Sequence, residues 1–394
     1  MERFMSDEVS IKQIKTLHNR ASMLLDMVSA QLDFDEAGKT LDVRFNVKQA
    51  ATLVGRSEGT IRRAEDGGDL PPPLKKKSGQ REGYTLSDLN RMRDHFGTRP
   101  FRADHEDPVV IAFQNFKGGV GKSTNAVHAA QYFALQGYRV LLCDIDPQAS
   151  ATLLFGINPS NDIDEEDTVL PFLLQEADDM RYCVRKTYWE GLDLIPSCLS
   201  VYNAEYAIAA GGADPQNRFE TLKRGIESVK YDYDVVILDP PPALGMISLN
   251  ALRAATALVI PTPPAIVDYG STVTFLTMLV EALEVLERAG FESKYQFVQI
   301  LASRVDENKR AQKIIRDGMK KIFGQDIYPT ALIDSSEYNT GSAELRTVYE
   351  YTGPSNQTYK RCRANLDRVM GDIEFTVRNT WKSHRRLLRE QGAA

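Results

Sequence analysis

The fold is decided by the stretch Val109-Val-Ile-Ala-Phe-Gln-Asn-Phe-Lys-Gly-Gly-Val-Gly-Lys-Ser-Thr124. It begins as an apolar run typical of a buried strand, passes through a glycine-rich turn, and continues into apolar residues at helical spacing. Glycines lack a Cβ atom, so their backbone N–H groups can converge on an anion, and the N-terminus of the following helix adds its positive end. The stretch therefore predicts a phosphate-binding loop between a strand and a helix of an α/β fold.

The predicted loop departs from the usual pattern G-x-x-x-x-G-K-[ST] at its first position. Phe116 stands where that pattern has glycine, and Lys117 opens the loop instead. Lys122 can reach the β- and γ-phosphates of a nucleotide, and the hydroxyl of Ser123 can bind Mg²⁺. Lys117 has no evident structural task in its own turn, so it could reach a phosphate, including one across a dimer interface. The predicted nucleotide-binding residues are Lys117, Gly118, Gly119, Val120, Gly121, Lys122, Ser123 and Thr124.

Two later predicted strands end in aspartates whose carboxylates could serve a Mg-ATP site. Asp144 and Asp146 close one strand and Asp239 closes the other, and ligands of open α/β sheets bind at such carboxyl ends. We predict that Asp239 contacts Mg²⁺ through a bound water molecule and that Asp146 orients the attacking water. Asp144 is predicted to support the residues that surround the metal. A single aspartate at the end of one strand would be interpreted as a cap or turn residue. Two such strands, together with the phosphate-binding loop, favour a nucleotide site instead. The predicted metal ligands are Ser123, Asp144 and Asp239, and the predicted catalytic residues are Lys117, Lys122 and Asp146.

Three regions follow one another along the chain. Residues 1–40 predict a helix of mixed polarity, and residues 41–103 form a compact basic unit that ends in the linker Arg99–Pro108. Residues 104–394 alternate short β-branched runs with helical patterns, which predicts a mostly parallel P-loop sheet flanked by helices. The strand candidates are Val109–Asn115, Arg139–Asp144, Leu192–Pro196, Val235–Asp239, Ala257–Pro261 and Gln296–Ser303.

Three motifs together resemble the deviant Walker A, A′ and B motifs of the ParA/MinD ATPases. They are Lys117-Gly-Gly-Val-Gly-Lys-Ser, Asp144-Ile-Asp-Pro-Gln-Ala-Ser and Val236-Ile-Leu-Asp-Pro-Pro, and the run Val259–Asp268 is similar to the same family. The resemblance implies a weak Mg-dependent ATPase that forms a sandwich dimer around ATP, with Lys117 contacting the partner's nucleotide. It also implies that Asp146 is the hydrolytic carboxylate.

The basic unit, residues 41–103, has the sequence pattern of a winged helix-turn-helix domain. Between Arg44 and Ala103 there are 13 Lys/Arg and 7 Asp/Glu, a net charge of +6 in a chain of net charge −6, so the remainder carries −12. Gly55 predicts the turn between two helices, and Ser57 predicts an N-cap for the second. A basic island on an acidic protein indicates a nucleic-acid surface, although a solvated basic face or a small packing domain would also fit. The residues predicted to bind DNA are Arg56, Ser57, Thr60, Arg62, Arg63, Lys75, Lys76, Lys77 and Arg81, the last four in the wing.

Both ends of the chain predict amphipathic helices. The N-terminal helix needs a partner for its apolar stripe, which is either a second chain, giving a dimer, or its own domain. The C-terminal apolar positions predict core, and the basic residues that follow fit either non-specific DNA binding or a solvated terminus. The C-terminal core positions are Leu366, Val369, Met370, Ile373, Val377 and Trp381, and the basic residues of the tail are Arg378, Lys382, Arg385, Arg386 and Arg389. A separate candidate patch for non-specific DNA binding, Arg304, Lys309, Arg310 and Lys313, follows a predicted strand.

The basic unit with this tail resembles the larger ParA proteins, above all RepA of repABC plasmid-maintenance cassettes. The likeness covers roughly residues 41–390, and its softer part is the tail, including Thr347–Thr352 and Asn365–Trp381. It implies specific operator binding with repression of its own operon. It also implies ATP-driven positioning of a plasmid or secondary replicon with a ParB/RepB-type centromere-binding partner, on nucleoid DNA in the cytoplasm.

The amino-acid composition argues against several other classes of protein. The four cysteines are scattered without a C-x-x-C pair, which predicts reduced thiols and speaks against an iron–sulfur relative of nitrogenase iron protein. No signal peptide and no membrane-spanning run are expected. Two rivals stay open: a MinD-like ATPase that binds membranes through its terminal helix, and a DNA-binding repressor that uses ATP only as a switch.

Overall fold

A computed structural model describes residues 11–30, 39–209, 217–292, 294–353 and 356–390. The chain divides into two compact units, residues 1–40 and 41–394. In the first unit, helix α1 (Ile11–Ala30) lies within the predicted helix of residues 1–40, and it exposes apolar side chains such as Ile14 and Leu17. Residues 1–10 and 31–38 lie outside the described part, and dimerisation through this helix stays a prediction.

The second unit is built on a seven-stranded sheet in the order β3-β4-β2-β5-β1-β6-β7. All neighbouring strands run parallel except β3, which pairs antiparallel at the edge, so the predicted mostly parallel α/β fold is confirmed. Each predicted strand candidate overlaps an observed strand, and β6 alone runs one residue past its predicted end, whereas the two-residue β3 was missed because it is too short for a pattern. The strands are β1 (Val109–Phe113), β2 (Val140–Asp144), β3 (Arg185–Lys186), β4 (Leu192–Ile195), β5 (Val235–Asp239), β6 (Ala257–Thr262) and β7 (Phe297–Ala302).

Helices cover both faces of the sheet. In β1, Val109, Ile111 and Phe113 belong to a core with α5 and α14, whereas Val110 and Ala112 belong to a core with α10 and α11. The predicted C-terminal core positions are buried as expected, because α14 packs five of them against α5, while Trp381 is buried just after α14 ends. The helices are α2 (Val47–Val54), α3 (Glu58–Asp66), α4 (Leu86–Phe96), α5 (Lys122–Gln136), α6 (Ser150–Leu154), α7 (Leu170–Leu173), α8 (Asn203–Ala209), α9 (Thr221–Val229), α10 (Met246–Ala254), α11 (Ile266–Arg288), α12 (Arg310–Phe323), α13 (Ser336–Ala343), α14 (Gln357–Arg378) and α15 (Lys382–Glu390).

Helix α11 differs from what the sequence predicted. It is 23 residues long and, by length and composition alone, apolar enough to cross a membrane, although no membrane-spanning run was expected. One side packs on the sheet through Thr272, Phe275 and Leu279, while only 17% of its most apolar window is buried. The isolated polar residues that interrupt this helix hid its apolar character from a search for unbroken apolar runs.

Helices α2 and α3 are joined at the predicted turn. Gly55 adopts a left-handed conformation with φ of 69°, and Ser57 caps α3 by accepting a hydrogen bond from the Thr60 N–H. A short antiparallel bridge between Lys75 and Arg81 follows, and α4 comes next. The predicted boundary near residue 103 is not a boundary between compact units, because Leu89 and Met92 share one hydrophobic core with α5.

Arg93 of α4 fixes this N-terminal part to the P-loop helix. Its guanidinium is fully buried at the C-terminus of α5, where it donates to the Leu135 carbonyl at 2.6 Å. It also donates to the Leu53 carbonyl of α2 at 3.2 Å and to Asn90 at 2.7 Å. Gly137 leaves room for it, since a Cβ atom there would lie 2.8 Å from the Arg93 side chain. One cation therefore connects three helices.

Candidate nucleotide-binding site

The P-loop owes its path to two left-handed glycines. Gly119 has φ of 76° and Gly121 has φ of 93°, a conformation that side chains with a Cβ atom rarely adopt. Gly121 immediately precedes α5, whose first N–H groups have no partner within the helix and point toward the loop. The loop thus presents backbone donors and a positive helix end to an anion, as the sequence predicted.

Phe116 and Lys117 are both held by α11. Phe116, which replaces the expected glycine, packs edge-to-face on Phe275 with ring centroids 4.8 Å apart. The ammonium of Lys117 forms an ion pair with Asp268, in the first turn of the same helix. No structural partner for Lys117 is evident within its own turn, and the structure supplies one from a distant element.

Two buried amides tie the loop to neighbouring strand ends. Gln114 donates to the Pro241 carbonyl at 3.3 Å, and Asn115 donates to the Pro261 carbonyl at 2.8 Å. Asn115 also accepts a hydrogen bond from the Lys117 N–H at 3.2 Å. Sequence reasoning missed this role, although two polar residues closing an apolar strand were a usable signal.

Asp239 lies directly opposite Asp144 in the pairing of β5 with β2. Its carboxylate is fully buried, and neither oxygen has a hydrogen-bond partner among the residues that the structure describes. Burial and the nearby Asp144 raise the pKa of Asp239 well above its usual range, while Ser123 and Lys122 oppose that shift. Mg²⁺ prefers oxygen ligands, so an unpaired buried carboxylate beside a hydroxyl and an ammonium is well placed to bind it together with a phosphate.

Asp144 is held by the loop that follows β2. Its carboxylate accepts hydrogen bonds from the Thr152 N–H at 2.8 Å, the Thr152 hydroxyl at 2.7 Å and the Asp146 N–H at 3.2 Å. Burial nevertheless raises its pKa to about 7. These bonds engage both oxygens, an arrangement that suits the predicted supporting role, and direct metal ligation by Asp144 stays a prediction.

The charges of Asp146 and Lys122 stabilise each other. Burial raises the pKa of Asp146, and the Lys122 ammonium lowers it again. Burial lowers the pKa of Lys122, against the pull of Asp239 and Asp146. No cluster of three or more His, Cys, Asp or Glu side chains that could hold a metal alone occurs in the described part of the chain. A metal ion here would therefore combine the Ser123 hydroxyl and the Asp239 carboxylate with the ligands that a nucleotide brings.

A cavity of about 250 Å³ opens beside the P-loop. Thr124 and Asn125 line it on the side of α5, and Leu332 and Tyr338 line it on the other side. Arg304 closes one end by donating to the Gly119 carbonyl at 2.6 Å. The sequence grouped Arg304 with a basic surface patch, but its guanidinium lies on the phosphate loop.

The predicted DNA-binding residues fall into two groups. Arg62, Arg63 and the three lysines of the wing, residues 75–77, are exposed. Ser57 and Thr60 bond each other through their hydroxyls at 2.8 Å.

Two predicted DNA-binding arginines have partners within the fold. Arg56 donates to the Phe96 carbonyl at 3.0 Å. Arg81 forms an ion pair with buried Glu65, to which Tyr84 donates at 2.6 Å, and this burial raises the pKa of Tyr84 to about 12. The ion pair with Glu65 thus holds Arg81 in place, and contact of Arg81 with DNA stays a prediction.

Protein SopA of Escherichia coli (strain K12) is 38% identical to this chain over 326 residues, which are 81% of this chain and 83% of SopA. The chain belongs to the ParA/Soj-type partition ATPase family. A family model described as "AAA domain" matches residues 109–287 of this partition ATPase. The "Putative replication protein A" of Sinorhizobium fredii (strain NBRC 101917 / NGR234) is 30% identical over 91% of this chain and 92% of its own length. The predicted likeness to RepA is thus confirmed, but SopA shares the higher identity.

Solved structures share the fold of this partition ATPase. One described as "Partition Protein" superposes with a TM-score of 0.67 at 24% identity, over 93% of this chain and 98% of that one. Cobyrinic acid a,c-diamide synthase from Mycobacterium smegmatis, solved with an ATP analogue and magnesium bound, gives a TM-score of 0.50 at 23% identity, over 62% of this chain and 91% of that one.

Proposed function

We propose that this partition ATPase binds Mg-ATP at its P-loop, hydrolyses it slowly to ADP and phosphate, and uses it to position DNA. The buried Asp239 carboxylate carries the proposal, because both its oxygens lack a hydrogen-bond partner among the described residues. Natural proteins rarely leave such a group unpaired unless a ligand completes it. The magnesium and ATP analogue in the M. smegmatis enzyme add support at the level of the fold.

The site's residues divide the work. Ser123 and Asp239 would hold Mg²⁺, which when bound neutralises charge on the phosphates. Lys122 and the N–H groups at the start of α5 bind the β- and γ-phosphates. Asp146 orients the attacking water and accepts its proton, a task helped by a pKa above the usual range.

Dimerisation requires Lys117 to change partners. A lysine that contacts the nucleotide of a second subunit must first leave Asp268, so the ion pair holds Lys117 within its own chain until ATP and a partner are present. The exposed apolar side chains of α1 suit an additional contact between subunits, which would make the nucleotide-free protein a dimer.

DNA binding is assigned to the N-terminal part of residues 41–394. Helix α3 would enter the major groove with Arg62 and Arg63, and the wing lysines would contact phosphates. Specific binding there would repress the protein's own operon, and a ParB/RepB-type protein would act as the centromere-binding partner. The exposed basic residues Lys309, Arg310 and Lys313 suit non-specific binding that keeps the protein on nucleoid DNA in the cytoplasm.

The membrane-binding rival finds less support. Its anchor would need the apolar side chains of the terminal helix to be free, but Trp381 and Leu388 are buried in the fold. Leu387 is exposed, yet a single leucine gives little membrane affinity.

We expect slow ATP turnover that rises when DNA and the ParB/RepB-type partner are both added. The reason is that a weak ATPase tied to positioning should hydrolyse only when its cargo is engaged. Phosphate release would be measured with each component alone and with both. A high rate that ignores DNA and partner would contradict the partition function.

Arg62→Ala is expected to weaken binding to DNA from upstream of the protein's own gene by about tenfold or more, and to leave random DNA almost unaffected. Lys76→Ala should instead weaken binding to the upstream DNA and to random DNA equally. It should also reduce the slope of log affinity against log salt concentration by about one, because one phosphate contact is lost. Fluorescence anisotropy at several salt concentrations measures both. Arg288→Ala, an exposed arginine on α11, serves as the control, and equal behaviour of Arg62→Ala and Arg288→Ala would refute the assignment.

A further inference from the structure

Asn125 is a buried amide in the first turn of α5. Only 2% of its surface is exposed, and its Oδ1 atom has no hydrogen-bond partner among the described residues. Its backbone N–H is used, since it donates to the Gly121 carbonyl at 2.9 Å, but the side chain is not. Leaving a buried amide oxygen unpaired costs stability, so this side chain calls for a ligand.

The amide lies where a nucleotide's non-phosphate part would be. Asn125 follows Gly121 by one helical turn, and side chains on a helix lean toward its N-terminus, which here is the P-loop. A Cβ atom on Gly121 would come within 3.2 Å of the Asn125 Nδ2 atom, so the amide covers that turn. Asn125 also lines the cavity of about 250 Å³ beside the loop.

The cavity walls suit a nucleoside better than a further anion. Leu332, Ile333 and Tyr338 supply apolar and aromatic surface on the side that faces α5. Arg304, the cation at its rim, already donates to the Gly119 carbonyl and lies 3.9 Å from Asp334. A flat base or a sugar fits such a lining, with one amide to fix its orientation.

We propose that Asn125 recognises the nucleoside part of the bound nucleotide by accepting a hydrogen bond from it. The inference rests on the proposed function, because it needs the triphosphate to lie in the P-loop. Three groups of ATP could donate this bond: the exocyclic amino group of adenine and the 2′- and 3′-hydroxyls of ribose. Guanine carries an oxygen in place of that amino group, and 2′-deoxy-ATP and 3′-deoxy-ATP each lack one hydroxyl, so the three donors can be told apart.

The test uses Asn125→Leu in the full chain, with calorimetric binding of Mg-ATP, Mg-GTP, Mg-2′-deoxy-ATP, Mg-3′-deoxy-ATP and Mg-tripolyphosphate. We expect ATP affinity to fall about tenfold while tripolyphosphate affinity is unchanged. The preference for ATP over GTP, over 2′-deoxy-ATP or over 3′-deoxy-ATP should disappear in the variant. The unliganded variant should melt at the same temperature as the natural protein or higher, because a buried unpaired amide has been removed.

A matched control is Asn250→Leu, which removes a buried amide of α10 whose oxygen accepts from the Leu222 N–H and whose nitrogen donates to the Arg218 and Met246 carbonyls. It should lower the melting temperature and leave every nucleotide preference unchanged. An equal loss of ATP and tripolyphosphate affinity in Asn125→Leu, or unchanged preferences, would overturn the inference. Failure of the natural protein to bind any of these ligands would instead refute the proposed function.

Discussion

Asp146→Asn is expected to lower the rate of ATP hydrolysis about 100-fold or more while ATP binding changes little. An amide keeps the shape of the side chain and can still accept the Gln148 N–H, which bonds Asp146 at 2.9 Å. It cannot take a proton from the attacking water, so only the chemical step is lost. Single-turnover hydrolysis and nucleotide binding, measured on the same preparation with DNA and partner present, separate the two effects.

Asp178→Asn provides a control of the same chemistry at an exposed position away from the P-loop. Its turnover should match that of the natural protein. If Asp146→Asn hydrolyses ATP at the natural rate, Asp146 is not the hydrolytic carboxylate. Another group of the site would then have to activate the attacking water.

The parts of the fold that sequence predicted well are those encoded locally. The predicted strands carry short apolar runs because a parallel sheet is buried on both faces. The P-loop glycines and the aspartates at the ends of β2 and β5 also appear as contiguous motifs, so their proximity followed from topology alone. The two residues of β3 carry no such signal.

The contacts that sequence missed join positions far apart in the chain. Lys117 and Asp268 are separated by 151 residues, and Arg304 and Gly119 by 185. No periodicity relates such pairs, so Arg304 was assigned to a surface patch and Lys117 was left without a structural partner. Asn125 was missed because its burial and its unpaired oxygen depend on the tertiary packing around α5.

The fixed attachment of the DNA-binding candidate to the ATPase core is a second consequence of such long-range contacts. Arg93 is separated from Leu135 by 42 residues and from Leu53 by 40, yet it bonds both carbonyls. Burial lowers the pKa of Arg93 to about 10, so the guanidinium still carries its charge at neutral pH. A charge at the C-terminus of α5 is favourable, because that end of a helix is negative.

Arg93→Met is expected to lower the free energy of unfolding by about 3 kcal/mol or more. Methionine keeps much of the apolar stem but leaves the buried Leu135 and Leu53 carbonyls without their donor. Urea unfolding measures the loss. Amide hydrogen exchange should show α2, α3 and α4 opening more readily than the sheet, because Arg93 links them to α5.

Arg91→Met is the matched control on the same helix. Its side chain is 53% exposed and lies 3.8 Å from Asp88, so its removal should change the free energy of unfolding by about 0.5 kcal/mol or less. Arg93→Lys should fall between the two, because one ammonium keeps the charge but cannot reproduce the planar fork that reaches three acceptors. Equal urea midpoints for Arg93→Met and Arg91→Met would show that the buried guanidinium does not hold the N-terminal helices on α5, and that their apolar contacts with it suffice.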